Sequence, residues 1–205
     1  YRALGRAEEA TKALRHAVRL QLQVAGVHFA LGRHHFEQGG YFAAVGPFEK
    51  AVERDPRMEA AHFHRGEAKR QLGEHEDAVE AYKRAIAIRP HRAAAHRGLG
   101  LSLRALRRHV EALEAFEEAE AIEPTAEILL FRGQVLAALE RHEDAIATFE
   151  KGLRHDAERP TLFVELARSL RAVGRDEPAN TALDEARVLA PDDVEILRLQ
   201  GELLR

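Results

Sequence analysis

One period governs this chain. Pro56, Pro90 and Pro124 stand 34 residues apart, and other columns keep the same step. Small residues recur at Ala10, Ala44, Ala78, Ala112, Ala145 and Ala179, with a single residue lost before Ala145. Large side chains follow at Leu14, Phe48, Tyr82, Phe116, Phe149 and Leu183, then small ones again at Ala17, Ala51, Ala85, Ala119, Gly152 and Ala186. Glycines form two further columns, at Gly32, Gly66, Gly100, Gly133 and Gly201, and at Gly5, Gly39, Gly73 and Gly174. A unit this short cannot bury an apolar face alone, so successive units must stack against one another.

Within a period the pattern is helical. Ala78, Tyr82, Ala85 and Ile86 form an i, i+4, i+7, i+8 stripe, one face of a helix. Gly66 and Ala78 lack bulk and let paired helices approach closely, while Tyr82 fills the space towards the next repeat. Gly73 ends the first helix of its pair without Cβ strain, and Pro90 ends the second because it cannot continue the hydrogen-bond ladder. Composition agrees: Ala, Leu, Glu and Arg, all good helix formers, dominate the 205 residues.

These columns resemble the tetratricopeptide repeat family. Leu31-Gly32 and Leu99-Gly100, the later Ala, aromatic and Ala, and the closing Pro all match its pattern, over essentially the whole chain. The family's usual Trp is replaced by His28, His62, His96, Leu129 and Phe163, and its closing Pro by Leu22 and Ala157. The resemblance implies an all-α, right-handed superhelical solenoid of helix-turn-helix units. In this register residues 1–205 form a single array: a partial unit 1–24, units 25–58, 59–92, 93–125, 126–159 and 160–193, and a terminal helix 194–205.

The resemblance also implies a concave face lined by first-helix residues. Here those are Phe29, Arg33 and Phe36, then Phe63, Glu67 and Arg70, then Arg97, Leu101 and Arg104. They continue as Leu130, Gln134 and Ala137, then Val164, Arg168 and Arg171, then Arg198, Glu202 and Arg205. Arginines outnumber acids on this face although the whole chain carries a net charge of −3. The expected ligand is therefore an acidic or amphipathic peptide segment of a partner protein, held by charge-assisted contacts and apolar anchors. The Asn and Lys clamp that some family members use is absent: the chain has a single Asn, Asn180, on a second helix.

Other functions find little support. Twelve histidines are present, but none of the pairs His34-His35, His62/His64 or the periodic His28, His62 and His96 has the i, i+3 or i, i+4 spacing of helical metal ligands. The periodic three read as packing residues. Carboxylate pairs such as Glu8-Glu9, Glu117-Glu118 and Asp192-Asp193 are adjacent in sequence and diverge on a helix. Ser102 and Ser169 have no histidine relay, and no glycine-rich phosphate loop is present. No enzyme activity, cofactor or metal is expected. The slight acidity argues against nucleic acid as partner, and no apolar run is long enough to cross a bilayer. With no targeting segment legible, a cytoplasmic location is the expectation. The alternative reading is a repeat arm of a larger enzyme, of glycosyl- or sulfotransferase type, with its catalytic domain outside these residues.

Two features break the repeat's rules. Gly46-Pro47 falls in the middle of a second helix, where sister repeats have Glu80-Ala81 and Glu114-Ala115, predicting a kink or late helix start at 43–47. At the C-terminus, Val194, Leu197, Gly201 and Leu204 are expected to pack back on the preceding repeat. That would leave Ile196, Leu199 and Leu203 as an uncovered apolar row. The N-terminal stump, with Ala10, Leu14 and Ala17, has the matching need. A parent protein longer at both ends, and end-to-end self-association, are expected from this.

Overall fold

The computed structural model describes residues 24–203, with Glu9, 11–13 and His16 of the stump. The expectations placed on Ala10, Leu14, Ala17, Leu204 and Arg205, and on the side chains of Glu202 and Leu203, lie outside the described residues. The chain divides into two compact units, Tyr1–Leu106 and Arg107–Arg205. Among the described residues every regular element is an α-helix.

The first unit holds α1 (Ala25–Glu37), α2 (Tyr41–Arg54), α3 (Glu59–Gln71), α4 (His75–Ile88) and α5 (Ala93–Ala105). Each helix packs on the next, α1 on α2 and α3 on α4 as hairpins, with α2 on α3 and α4 on α5 joining one hairpin to the next. First helices also meet across repeats, α1 with α3 and α3 with α5. The second unit repeats the arrangement with α6 (His109–Ile122), α7 (Ala126–Ala138), α8 (His142–His155), α9 (Pro160–Ala172), α10 (Asp176–Leu189) and α11 (Val194–Leu203). There α7 meets α9.

The columns read from the sequence are the interior. Ala44, Phe48 and Ala51, and Ala78, Tyr82 and Ala85, are fully buried, as are Ala112, Phe116 and Ala119. Tyr82 shows what glycine allows: its ring lies in a slot between Gly66 of α3, a column residue, and Gly98 of α5, which lies outside the columns. A methyl group on Gly98 would lie 2.5 Å from Tyr82 Cζ, and one on Gly66 2.9 Å from Cε1. A larger residue at either position collides with the ring.

Hairpin turns close by the double hydrogen bond of a Schellman motif. The Gly73 amide donates to the Arg70 carbonyl and the Glu74 amide to that of Lys69, with Gly73 at φ +77°. Gly39 and Gly174 occupy the same left-handed conformation, whereas Arg107 and Glu140, each at φ 60°, do so without the freedom of glycine.

Two expectations are corrected. Helix α2 starts at Tyr41 and includes Pro47 on its way to Arg54, so of the kink or late start expected at 43–47 the late start is excluded. The carbonyl that Pro47 deprives of a donor belongs to Ala43, an exposed residue open to hydration, while buried Ala44 and Phe48 pin both sides of the defect. At the C-terminus the two faces of α11 are exchanged relative to expectation. Ile196 and Leu199, 1% and 5% exposed, are the ones covered within the chain, while Val194 and Leu197 are 78% and 47% exposed. α11 packs mainly on α10, and Arg168 of α9 also reaches its Glu195; the row with the bulkier i, i+3 pair is the one buried.

Candidate functional site

Histidines at the position of the family's Trp fulfil a structural role. His28, His62 and His96 are buried. His62 Nε2 meets the Pro56 carbonyl at 3.0 Å, and His96 Nε2 meets the Pro90 carbonyl at 2.8 Å. Each ring thus occupies the core and ties down the carbonyl left bare at the inter-repeat turn. Burial, reinforced by Lys50 and Arg54, holds His28 below its ordinary pKa. Among the described residues no group of three or more metal-ligating side chains comes together.

The first-helix face of the first unit is built on an aromatic cluster. His64 of α3 stacks on Phe48 (centroids 5.8 Å apart) and meets Phe29, Phe36 and Phe63 at 5.5, 5.9 and 5.2 Å. Phe36 meets Tyr41 edge-on at 5.2 Å. Sequence reasoning noted His64 only as a neighbour of His62; its place at the centre of the cluster follows from stacking α1 on α3, which spacing along one helix does not reveal. Desolvation lowers the His64 pKa and the Arg92 guanidinium adds to it; Arg33 acts in the same sense and Glu67 and Glu59 oppose it.

The residues expected on this face separate into three environments. Phe29 and Phe36 are half-buried, with their inner edges in the cluster. Phe63 is buried: the Arg92 guanidinium covers its ring at 3.7 Å, and Arg92 is itself held by both Glu59 oxygens at 2.7 and 2.9 Å. It therefore stands behind the face as a support and not on it. Arg33 is exposed beside Glu37 at 3.3 Å. Arg70 donates to Glu67 at 3.0 Å, and Glu67 also accepts from the Tyr82 hydroxyl at 2.5 Å. Burial works against the Arg70 cation but Glu67 outweighs it, so its pKa is raised; burial and Glu67 raise that of Tyr82 as well. Arg97 and Arg104 of α5 are half-buried. The row Arg33, Arg70, Arg97 and Arg104 thus shares its face with the acids Glu37 and Glu67, and cations remain in the majority.

The corresponding face of the second unit is differently balanced. Gln134 of α7 donates to Glu165 of α9 at 2.8 Å. Arg168 pairs with Glu195 and approaches Glu165 at 4.0 Å. Arg171 lies half-buried at the end of α9. Leu130 and Val164 are buried, so polar pairs spanning successive first helices, rather than aromatic rings, form its surface.

Matches to known proteins agree with this architecture. The tetratricopeptide repeat profile matches residues 1–59, 29–91 and 63–127, and a second profile of the same description matches 126–158. The chain belongs to the tetratricopeptide repeat family, whose fold is a scaffold for protein interaction. YrrB, described as a TPR protein with an unusual peptide-binding site, superposes with a TM-score of 0.82 at 19% identity, covering 94% of this chain and 100% of that one. MamA residues 41 to the end from Desulfovibrio magneticus RS-1 gives 0.78 at 18% identity, over 83% of this chain and 97% of that one. TTC0263, a thermophilic TPR protein of Thermus thermophilus, gives 0.63 at 25% identity, over 88% of this chain and 99% of that one. No curated protein sequence matches. Among the described residues no helix is long and apolar enough to cross a membrane.

Proposed function

We propose that this protein is a non-catalytic scaffold that binds an acidic or amphipathic peptide segment of a partner along the first helices α1, α3 and α5. The observation that carries the reading is the arginine row of these helices, Arg33, Arg70, Arg97 and Arg104, set beside the half-buried edges of Phe29 and Phe36. An extended ligand fits such a row: arginines recognise carboxylates in a fixed planar geometry, and apolar side chains find the ring edges. Within the second unit, Arg168 and Arg171 of α9 offer the same chemistry. Each charge-assisted contact contributes roughly 1–3 kcal/mol where it is desolvated. Glu67 has a part in this scheme: by holding Arg70 in place it fixes one donor before the ligand arrives.

The test is fluorescence anisotropy with labelled synthetic peptides that share an apolar pattern and differ in their charged residues. The acidic series binds the wild-type chain, more weakly as salt rises, and loses at least tenfold with R97E/R104E. A preference for the basic series, or indifference to the double charge reversal, overturns the assignment.

End-to-end self-association is a second reading, carried by the exposed Val194 and Leu197 of α11 together with Val188 and Leu189 of α10. Sedimentation equilibrium of the wild type against V194E/L197E tests it; a concentration-independent monomer rules it out.

A further inference from the structure

The outer side of α2 departs from its sister helices in a consistent direction. At the positions where α4 has Glu76, Asp77 and Glu80, helix α2 has Phe42, Ala43 and Gly46, followed by Pro47 in place of Ala81. α4 and α8 both carry acids in their first turn and α2 carries none. Each change weakens the helix: acids near an N-terminus favour the helix dipole, and Gly and Pro in the interior cost stability. A side chain on Gly46 would meet open space, so packing does not demand glycine there. Phe42 is 81% exposed, the most exposed of the large apolar side chains described.

These substitutions produce a surface. Phe42, Val45, Gly46 and Pro47 line a cavity of about 420 Å³ that is completed by Leu72. Its rim holds Glu49, Lys69 and Glu74. Lys69 is committed to Glu74 and, at 3.0 Å, to Asp77, so the rim carries a net negative charge. None of the residues lining this cavity belongs to the arginine row described above.

We propose that this cavity is a second docking site, and that its occupant is a partner segment presenting an apolar side chain flanked by Lys or Arg. The apolar side chain fills the space over Gly46 and Pro47 against Phe42. The basic flanks meet Glu49 and Glu74. Charge separates this site from the arginine row: the two faces select segments of opposite sign, which lets one scaffold hold two different partners.

The probe is a short synthetic peptide with a Leu-Phe centre flanked by lysines, compared with its counterpart carrying Glu in place of each Lys. Binding to the intact chain is followed by NMR, and self-association by sedimentation. The account expects the Lys-flanked peptide to shift resonances of Val45, Gly46 and Leu72, with at least tenfold weaker binding to F42E. A second variant, F42E/G46E/P47A, restores residues of the sister repeat; it is expected to lose binding while its thermal stability holds or rises, which a folding defect would not mimic. The proposal is overturned by equal binding of the Glu-flanked peptide, by shifts on α1, α3 and α5 instead, by no binding, or by a wild-type dimer that F42E dissolves.

Discussion

The two units are built on one repeat but solve its packing problem with different materials. In the first unit the core and the first-helix face are continuous through aromatic rings: Phe29, Phe48 and Phe63 surround His64, and Tyr82 adjoins Phe63. In the second, aliphatic side chains such as Leu129, Leu136, Leu162 and Leu183 fill the interior, with Phe149 and a Phe116–Phe131 pair as the aromatic part. Turns differ too. Gly39 and Gly73 close the first unit's hairpins without strain; in the second Gly174 does the same, but Arg107 and Glu140 take the left-handed conformation without the freedom of glycine. The comparison teaches that the repeat prescribes volumes and periods, and leaves chemistry free. A planar ring needs a flat slot, hence Gly66 and Gly98 around Tyr82; aliphatic branching needs fewer such gaps. What the first unit gains is a face on which polar and aromatic groups coexist.

The sharpest way to break the comparison is to remove the ring at the first unit's centre. Tyr82→Ala leaves a cavity and strands Glu67 without one of its donors, and should cost about 3–5 kcal/mol in urea unfolding. A loss below about 1 kcal/mol would show that the slot does not organise the unit. Next, Gly98→Ala should cost roughly 1–3 kcal/mol, because Tyr82 must move to admit the methyl. Gly133→Ala should do the same in the second unit, where the added carbon would lie 2.3 Å from Phe149 Cε1. If either is neutral, the slots are looser than described. Turn exchanges come third and have opposite signs: Glu140→Gly should stabilise and Gly73→Ala destabilise, each by about 0.5–1 kcal/mol in thermal unfolding.

The smallest effect is a pH dependence that originates at His64. His64 in the folded chain resists protonation relative to its ordinary value of 6.5. Above that pH the ring is neutral in both folded and unfolded states and nothing changes. Below it the unfolded chain takes up the proton first, so stability declines as pH falls from 6.5 towards the lowered folded value, then levels off. His64→Phe keeps the stacking and should flatten this part of the profile, leaving the His28 contribution.

The fold was legible because the repeat is written in residues whose volume alone decides their place. Ala44, Phe48, Ala78 and Tyr82 could be assigned to the interior from spacing. Faces that depend on which neighbour is present were harder to read. Ile196 and Val194 are both aliphatic, and only packing on α10 decides which one is buried. Phe63 shows the same limit at the site. Its position on the first helix matches a groove residue, yet Arg92, at the far end of the same unit with Glu59 as its anchor, covers it. Pro47 does break the repeat's rule, but the cost of a missing donor depends on whether the orphaned carbonyl faces water, which spacing does not encode.

The most direct test of the central claim is an unbiased one. A random-sequence peptide library is selected against the F42E chain, in which the outer cavity is disabled, and the tightest binder is mapped by hydrogen exchange. The account predicts acidic sequences that protect α1, α3 and α5, with protection lost in a chain also carrying R97E/R104E. Basic sequences, or protection confined to the second helices α2 and α4, would contradict it.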